Sequence, residues 1–399
     1  MCPLTPKISR HGLACVAMAG FGAAVTRAFL FDFESGDYLD FLSGWYDHFL
    51  EKGRWQGLGD LDAKHFSYPS LYMTLMSLIT WLPLPKLYAI KALSTVFDFI
   101  GALLMYRIVL GFGGSEARAL TAAATLLCLP TVVVNASLWG QCDMMYTVCF
   151  LWSFLALIRN RSAQCLIACG FAAALKPQAV FWAPFLAGLF IAGKLSWRFL
   201  GLTPAMYAVC GFPEILAGRP WGEVLLHWGE VDTAPRLTFN AANWYQWVPN
   251  EPFAVLWWCG VGATLVWTGL FVLRIFTLRE ELTWPRRLVS LALFTLLFPP
   301  FLLPWMHERY YFPADVFSLL YAFCTPRGWL VAATIQGISA FSYLPFLFNL
   351  NPVPLGVLAV FSYGVLCLVA WGVWQPVKQQ DCTGFLPTVA DEGRNETRV

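Results

Sequence analysis

Residues 288–324 read LVSLALFTLLFPPFLLPWMHERYYFPADVFSLLYAFC. The stretch holds two apolar runs, 288–304 and 309–324, which are longer and more apolar than ordinary core strands or helices. A His-Glu-Arg triplet at 307–309 lies where the runs meet. Prolines disrupt regular helix around the triplet. These prolines are Pro299, Pro300, Pro304 and Pro313.

The whole chain has the same character. Of its 399 residues, 58% are hydrophobic and only 13% are charged, whereas a soluble domain carries roughly a quarter charged residues. The sequence therefore predicts an all-α polytopic membrane protein. Further apolar segments lie near 13–30, 88–110, 118–134, 142–158, 162–175, 177–193, 199–216, 253–273, 328–348 and 353–375.

The basic residues predict the orientation. Cytoplasmic loops of membrane proteins carry an excess of Lys and Arg. If the ambiguous segment 68–83 is a re-entrant or interfacial helix, 16 of the 26 basic residues face the cytoplasm. This arrangement predicts about 12 spanning helices, with both termini inside.

The same arrangement predicts the domain organisation. Residues 1–375 form a single transmembrane domain, with 31–87 and 217–252 as external loops. Residues 376–399 form a polar cytoplasmic tail. The 217–252 loop mixes aromatic and amide side chains, which suits either a carbohydrate surface or a lid at the membrane interface.

Three polar positions next to apolar runs are candidates for chemistry on the outer face. Asp37 follows the first helix, and a carboxylate held against an apolar surface becomes a better proton acceptor near neutral pH. Asp143, with Gln141 before it, either caps a helix or serves a substrate. Lys176 either extends to the interface or binds an anion.

The 307–309 triplet is the fourth candidate. Burying three ionisable groups is costly unless they pair with each other or bind something. Glu308 and Arg309 could neutralise one another. Alternatively, Arg309 and His307 suit a phosphate, because Arg offers a bidentate fork and His a further donor.

Several classes of protein are disfavoured. The net charge of +2 gives no electrostatic case for nucleic acid. The 12 cysteines are scattered, which is typical of small buried hydrophobes. No P-loop, GxGxxG or HExxH motif occurs. We therefore expect no cofactor. The acidic residues at 34–40 could hold a divalent ion, but the sequence shows no convincing set of ligands, so metal dependence is undecided at this point.

Three stretches together resemble the GT-C superfamily of multi-pass glycosyltransferases. GDYLDFLSGW (36–45) with FSYPSLY (66–72) is similar to the first external loop of these enzymes, although Ser70 replaces a second proline. LWGQCDMMY (138–146), read with LKPQ (175–178), resembles a later loop, and MHERYYFPAD (306–315) resembles a motif of bacterial members. The nearest likeness is to bacterial homologues of the GPI-anchor mannosyltransferases.

This resemblance implies a GT-C-like bundle and an inverting transfer of a hexose, with mannose as the first candidate, from a polyprenyl-phosphate donor. The acceptor is a glycan or lipid, and the membrane is a bacterial inner membrane, or the ER membrane in a eukaryote. Asp37 is implied as general base, with Glu34 and Asp40 as fallbacks. The implied donor-phosphate ligands are Arg309, His307 and Lys176, and the implied substrate contacts are Asp143, Gln141, Gln178, Glu308, Tyr310, Asp40 and Tyr68.

Two readings from other classes compete with the enzyme. A transporter or flippase of lipid-linked sugars would share the lipid groove, but it needs polar residues near mid-membrane. Asp98 is the main candidate there. A non-catalytic scaffold would leave the 307–309 triplet hard to explain.

Overall fold

A computed structural model describes residues 10–62, 66, 68–226, 235–326 and 328–375. The predicted tail, 376–399, and the part of the second loop at 227–234 lie outside the described residues. Over the described ranges the protein is predominantly helical, which confirms the predicted helical class. Two strands of two residues each, β1 (Thr238–Phe239) and β2 (Met306–His307), pair in parallel.

Most of the longer α-helices follow the apolar segments and end near polar residues, Gly or Pro. In chain order the α-helices are α1 Arg10–Ala28, α2 Ser43–Glu51, α3 Gln56–Gly59, α4 Ser70–Ile79, α5 Lys86–Gly111, α6 Glu116–Cys128, α7 Pro130–Val133, α8 Asp143–Ile158, α9 Ser162–Leu175, α10 Ala183–Ile191, α11 Leu202–Leu216, α12 Trp221–Leu226, α13 Phe253–Thr277, α14 Pro285–Leu302, α15 Phe312–Cys324, α16 Gly328–Phe348 and α17 Leu355–Trp374.

The expected count of 12 membrane spans is not confirmed. Among the described residues, six helices are long and apolar enough to cross a membrane, or seven if the bent pair Glu116–Cys128 and Pro130–Trp139 counts as one span. The protein is therefore an integral membrane protein by length and composition of its helices. The shorter apolar helices, such as the 14 residues of α9, rise only about 1.5 Å per residue and do not by themselves reach across a core of about 30 Å.

The segment at 68–83 contains α4, a helix of ten residues. At about 1.5 Å per residue it is roughly half as long as a bilayer core is thick. α4 packs against α9 and α11. Its length therefore agrees with a helix that does not cross the membrane.

The centre of the bundle is α8, which is buried along almost its whole length and packs against α5, α9 and α15. α14 is also largely enclosed. In contrast, α13 and α17 expose large apolar side chains, as expected of helices that face lipid.

Irregular backbone separates several of these helices. The helix pair at 116–139 bends by 52°, and a π-helix, Val134–Trp139, ends at Gly140 in the left-handed conformation. α9 ends directly before Lys176, and Pro177 begins a 3-10 helix. α14 ends before the irregular segment that contains β2. These breaks bring polar side chains to one end of the bundle.

Candidate active site

Asp37 is 8% exposed and lies directly before a π-helix, Tyr38–Leu42. Its Oδ2 accepts hydrogen bonds from Trp139 Nε1 at 2.7 Å and from Gln141 Nε2 at 2.5 Å. No described residue donates to its other oxygen, Oδ1, which is also not among the fully enclosed polar atoms. One oxygen is thus held in place while the other stays available to a ligand.

Both hydrogen-bond donors to Asp37, Trp139 and Gln141, lie in the loop at 134–141, and the backbone conformation of this loop places them together. Gly140 adopts a φ of +83°, a conformation that favours glycine, and it turns the chain between Trp139 and Gln141. Ser35 Oγ donates to the Trp139 carbonyl oxygen at 2.7 Å, so the segment that carries Asp37 is bound to the same loop. The two loops hold Asp37 between them.

Arg309 is the nearest cation to this carboxylate. Its Nη1 lies 3.7 Å from Asp37 Oδ2 and 3.4 Å from Glu308 Oε1, and its guanidinium lies 5.5 Å from the ring centre of Trp139. Neither its Nε nor its Nη2 has a hydrogen-bond partner among the described residues, and Nε is fully enclosed. A buried guanidinium with unused donors is suited to bind an anion.

Glu308 lies beside Arg309 in a 3-10 helix, Glu308–Tyr311, outside the spanning helices. Burial raises the pKa of Glu308 from 4.5 to about 7, and Arg309 offsets only part of this effect. Its Oε2 has no partner among the described residues. Glu308 therefore changes charge near neutral pH, directly beside the possible anion site.

His307 belongs to β2, and its ring stacks on Phe239 of β1 at a centroid distance of 4.7 Å. Burial, together with the positive charges of Arg309 and Lys176, lowers the pKa of His307 to about 2. His307 is therefore neutral at physiological pH. It can offer one N–H to a ligand, but no positive charge.

Lys176 and Asp143 form a closed pair. Lys176 Nζ lies 2.5 Å from Asp143 Oδ1, with exposed side-chain fractions of 2% and 0%. Asn135 donates to the second oxygen of Asp143 at 2.9 Å. Lys176 also faces the rings of Tyr68 and Tyr146 at 5.4 and 5.9 Å. Asp143 compensates the charge of Lys176, so an anion at Lys176 would compete with this carboxylate.

The remaining predicted residues divide into two groups. Tyr68 joins the cluster, because its hydroxyl donates to Gln141 Oε1 at 3.3 Å, and Tyr310 lies 5.2 Å from the His307 ring. Asp40 and Glu34 are exposed and make no described contact with the cluster. Gln178 has a buried Oε1 without a partner among the described residues, and no described bond links it to Asp143 or Arg309.

Sequence reasoning missed several residues of the site. Asn135 and Trp139 lie in the polar stretch NASLWGQCDMMYT (135–147), which contains the 138–146 motif. Nothing about an asparagine or a tryptophan at these positions predicts a hydrogen bond to a carboxylate. Asp315, in the 306–315 motif, is fully buried and accepts a hydrogen bond from Ser339 at 2.7 Å. The phenol of Tyr343, which packs edge-on against Trp139, lies 3.5 Å from the same carboxyl group. Only the helix packing reveals this link from Asp315 to the wall of the site.

The site combines the Asp37 carboxylate, one oxygen of which has no hydrogen-bond donor among the described residues, with the Arg309 guanidinium, whose Nη2 donates to none of them. The described residues contain no group of three His, Cys, Asp or Glu side chains that could hold a metal ion. No family model matches the chain, and no curated protein matches it.

Proposed function

We propose that the protein is an inverting glycosyltransferase, which moves a hexose from a polyprenyl-phosphate donor to an acceptor hydroxyl. Mannose is the first candidate sugar, following the resemblance of the motifs. The observation that carries the proposal is the juxtaposition of Asp37 and Arg309. A proton acceptor and an anion receptor lie side by side at one end of a membrane-embedded bundle.

The chemistry assigns one task to each group. The oxygen of the acceptor attacks the anomeric carbon as the bond from that carbon to the phosphate oxygen breaks. The acceptor proton passes to the open oxygen of Asp37, which acts as general base. Polyprenyl phosphate leaves with the bonding electron pair, and Arg309 stabilises its charge through Nη1 and the unused Nη2, since Nε is fully enclosed.

Arg309 and Asp37 lie too close together to contact opposite faces of a bound sugar. In an inverting reaction the attacking and leaving oxygens occupy opposite faces of the sugar. The 3.7 Å contact between Arg309 Nη1 and Asp37 Oδ2 must therefore open when the donor binds. The contact is longer than a hydrogen bond, but buried opposite charges still attract at this distance, so the phosphate of the donor must replace Asp37 as the partner of Arg309.

The face of the membrane is also part of the proposal. The basic side chains Arg274 and Arg287 cap the carboxyl end of α17, donating to Val373 and Gly372 carbonyls. Arg118 bonds the Phe323 carbonyl, near the end of α15 that lies away from the site. Because basic residues favour the cytoplasm, the site would face the periplasm or, in a eukaryote, the ER lumen.

The test is a transfer assay with purified protein, radiolabelled polyprenyl-phosphate mannose and a mixed acceptor extract. We expect wild type and the control Asp40→Asn to transfer the sugar, since Asp40 is exposed and lies in the π-helix that directly follows Asp37. We expect Asp37→Asn to lose about 10²–10⁴-fold in rate while it stays folded.

Other results would change the proposal. Equal transfer by Asp37→Asn would move the base to another group. No transfer with mannose, glucose or pentose donors, but movement of the lipid across proteoliposomes, would favour the flippase. Against the flippase, Asp98, the intramembrane acid, is bound by Arg27 at 2.9 Å in a buried pair.

A further inference from the structure

Lys91 is completely buried, although it lies in an otherwise apolar part of α5. Its Nζ donates to three backbone carbonyl oxygens: those of Leu30 at 3.1 Å, Phe31 at 3.0 Å and Phe33 at 2.5 Å. An ammonium group has three donors, so all are used. Because a buried ammonium without its hydrogen bonds is costly, these three carbonyls are held tightly.

The bonded carbonyls belong to the turns that lead from α1 to Asp37. Phe33 stands four residues before Asp37, and between them Ser35 Oγ bonds the Trp139 carbonyl oxygen at 2.7 Å. The segment that carries Asp37 is therefore bound both to α5 and to the loop at 134–141.

Lys91 also approaches the second loop. A Cβ atom placed on Gly140 would lie 3.7 Å from the Lys91 Cγ, so the aliphatic stem of the lysine lies beside the turn between Trp139 and Gln141. The two loops whose meeting brings Trp139 and Gln141 to Asp37 thus both lie next to the Lys91 side chain.

We propose that Lys91 is a positioning residue, which fixes the carbonyls of residues 30–33 and thereby sets where Asp37 meets Trp139 and Gln141. Its effect on turnover rests on the proposed function, whereas its effect on the loop does not. A lysine that only stabilised the end of α1 would affect stability without changing the turnover of the folded protein.

Lys86 provides a matched control. It lies in the same helix and its Nζ also bonds the first external loop, at Ser43 and Asp47 with distances of 2.7 Å each. These partners lie in α2, after Asp37, and Lys86 is more exposed. Lys86→Met removes comparable bonds without touching the turn before Asp37.

The experiment compares Lys91→Met, Lys91→Gln and Lys86→Met in two measurements on the full chain. Hydrogen exchange should quicken at residues 29–39 in the Lys91 variants, and at residues 43–51 in Lys86→Met. In the transfer assay, Lys91→Met should lower kcat by about a hundredfold, since small misplacements of a catalytic group have effects of that order. The KM for the donor should stay unchanged, because Arg309 is untouched.

Lys91→Gln covers the case in which Lys91→Met does not fold, because its amide keeps two of the three donors. It should show a smaller change of the same kind. Unchanged exchange at 29–39, or unchanged kcat, in a folded Lys91 variant would overturn the proposal. If wild type transfers no sugar, the proposed function fails, and the exchange data alone decide whether Lys91 holds the loop.

Discussion

Trp139 Nε1 donates to Asp37 Oδ2 at 2.7 Å across 102 positions of sequence. The indole ring also contacts Phe346, stacked at 5.0 Å, and the guanidinium of Arg309 at 5.5 Å. Trp139 therefore links the proposed base, the proposed anion receptor and α16. Because Trp139 contacts both side chains, Asp37 and Arg309 lie close together without forming a direct hydrogen bond.

Trp139→Phe tests this link. The change removes the N–H but keeps an aromatic ring against Phe346, so we expect a folded protein with reduced turnover. A hydrogen bond to a charged group contributes about 1.5–3 kcal/mol, which corresponds to roughly a ten- to hundredfold loss. The transfer rate and the melting temperature are the measurements.

The control for that variant is Trp182→Phe, which removes an indole bond to the neutral Ser153 hydroxyl at 3.2 Å. It should leave the transfer rate of the folded protein unchanged. Equal losses in both variants would show that the indole bond at Asp37 has no special role.

Arg309→Lys separates positive charge from the planar fork. Lysine keeps the charge but loses the paired Nη1 and Nη2 donors that we assign to the leaving phosphate. We expect a loss of more than about tenfold in kcat/KM for the donor, measured by steady-state transfer. Arg198→Lys is the control, because Arg198 lies over the Phe199 ring rather than in the site. Full activity of Arg309→Lys would contradict the bidentate role.

The Lys176–Asp143 pair gives a stability prediction. Removing one partner of a buried pair typically costs about 3–5 kcal/mol, because the other charge is left uncompensated. Lys176→Met should therefore lower the unfolding midpoint strongly, and the double variant Lys176→Met, Asp143→Leu should recover part of the loss. If Lys176→Met is stable and its KM for the donor is raised, Lys176 binds the phosphate of the donor, as the sequence resemblance implied.

The pH dependence of stability should have two opposing parts. The pKa of Glu308 is raised from 4.5 to about 7, so its contribution is present below pH 4.5 and is lost as the pH rises through 7. The pKa of His307 is lowered from 6.5 to about 2, so its contribution is present above pH 6.5 and is lost as the pH falls.

Melting temperatures from pH 4 to 8 check both signs. Relative to wild type, Glu308→Gln should gain stability toward pH 8, and His307→Asn should gain stability toward pH 4. The exposed pair of Lys52 and Asp60, at 3.1 Å, offers a control in Asp60→Asn, which should follow the wild-type curve. Parallel curves for all variants would rule out the two assigned pKa directions.

The sequence by itself determined the membrane class, the limits of most helices and the segments where polar residues interrupt them. These properties depend on hydropathy, proline and glycine, which act within a few residues of the chain. The positions of Asp37, Asp143 and the 307–309 triplet as unusual polar groups were also evident from local sequence.

Only the tertiary structure decided which of these groups meet. In the structure, Lys176 pairs with Asp143, whereas Asp40 is exposed and lies outside the site. Trp139 bonds Asp37, and Lys91 bonds the segment that precedes it. Among the described residues, six or seven helices are long and apolar enough to span a membrane, so the expected count of 12 is not confirmed. These outcomes depend on contacts between helices that lie tens to hundreds of residues apart, and on the burial that such packing produces. No local pattern of residue types specifies them.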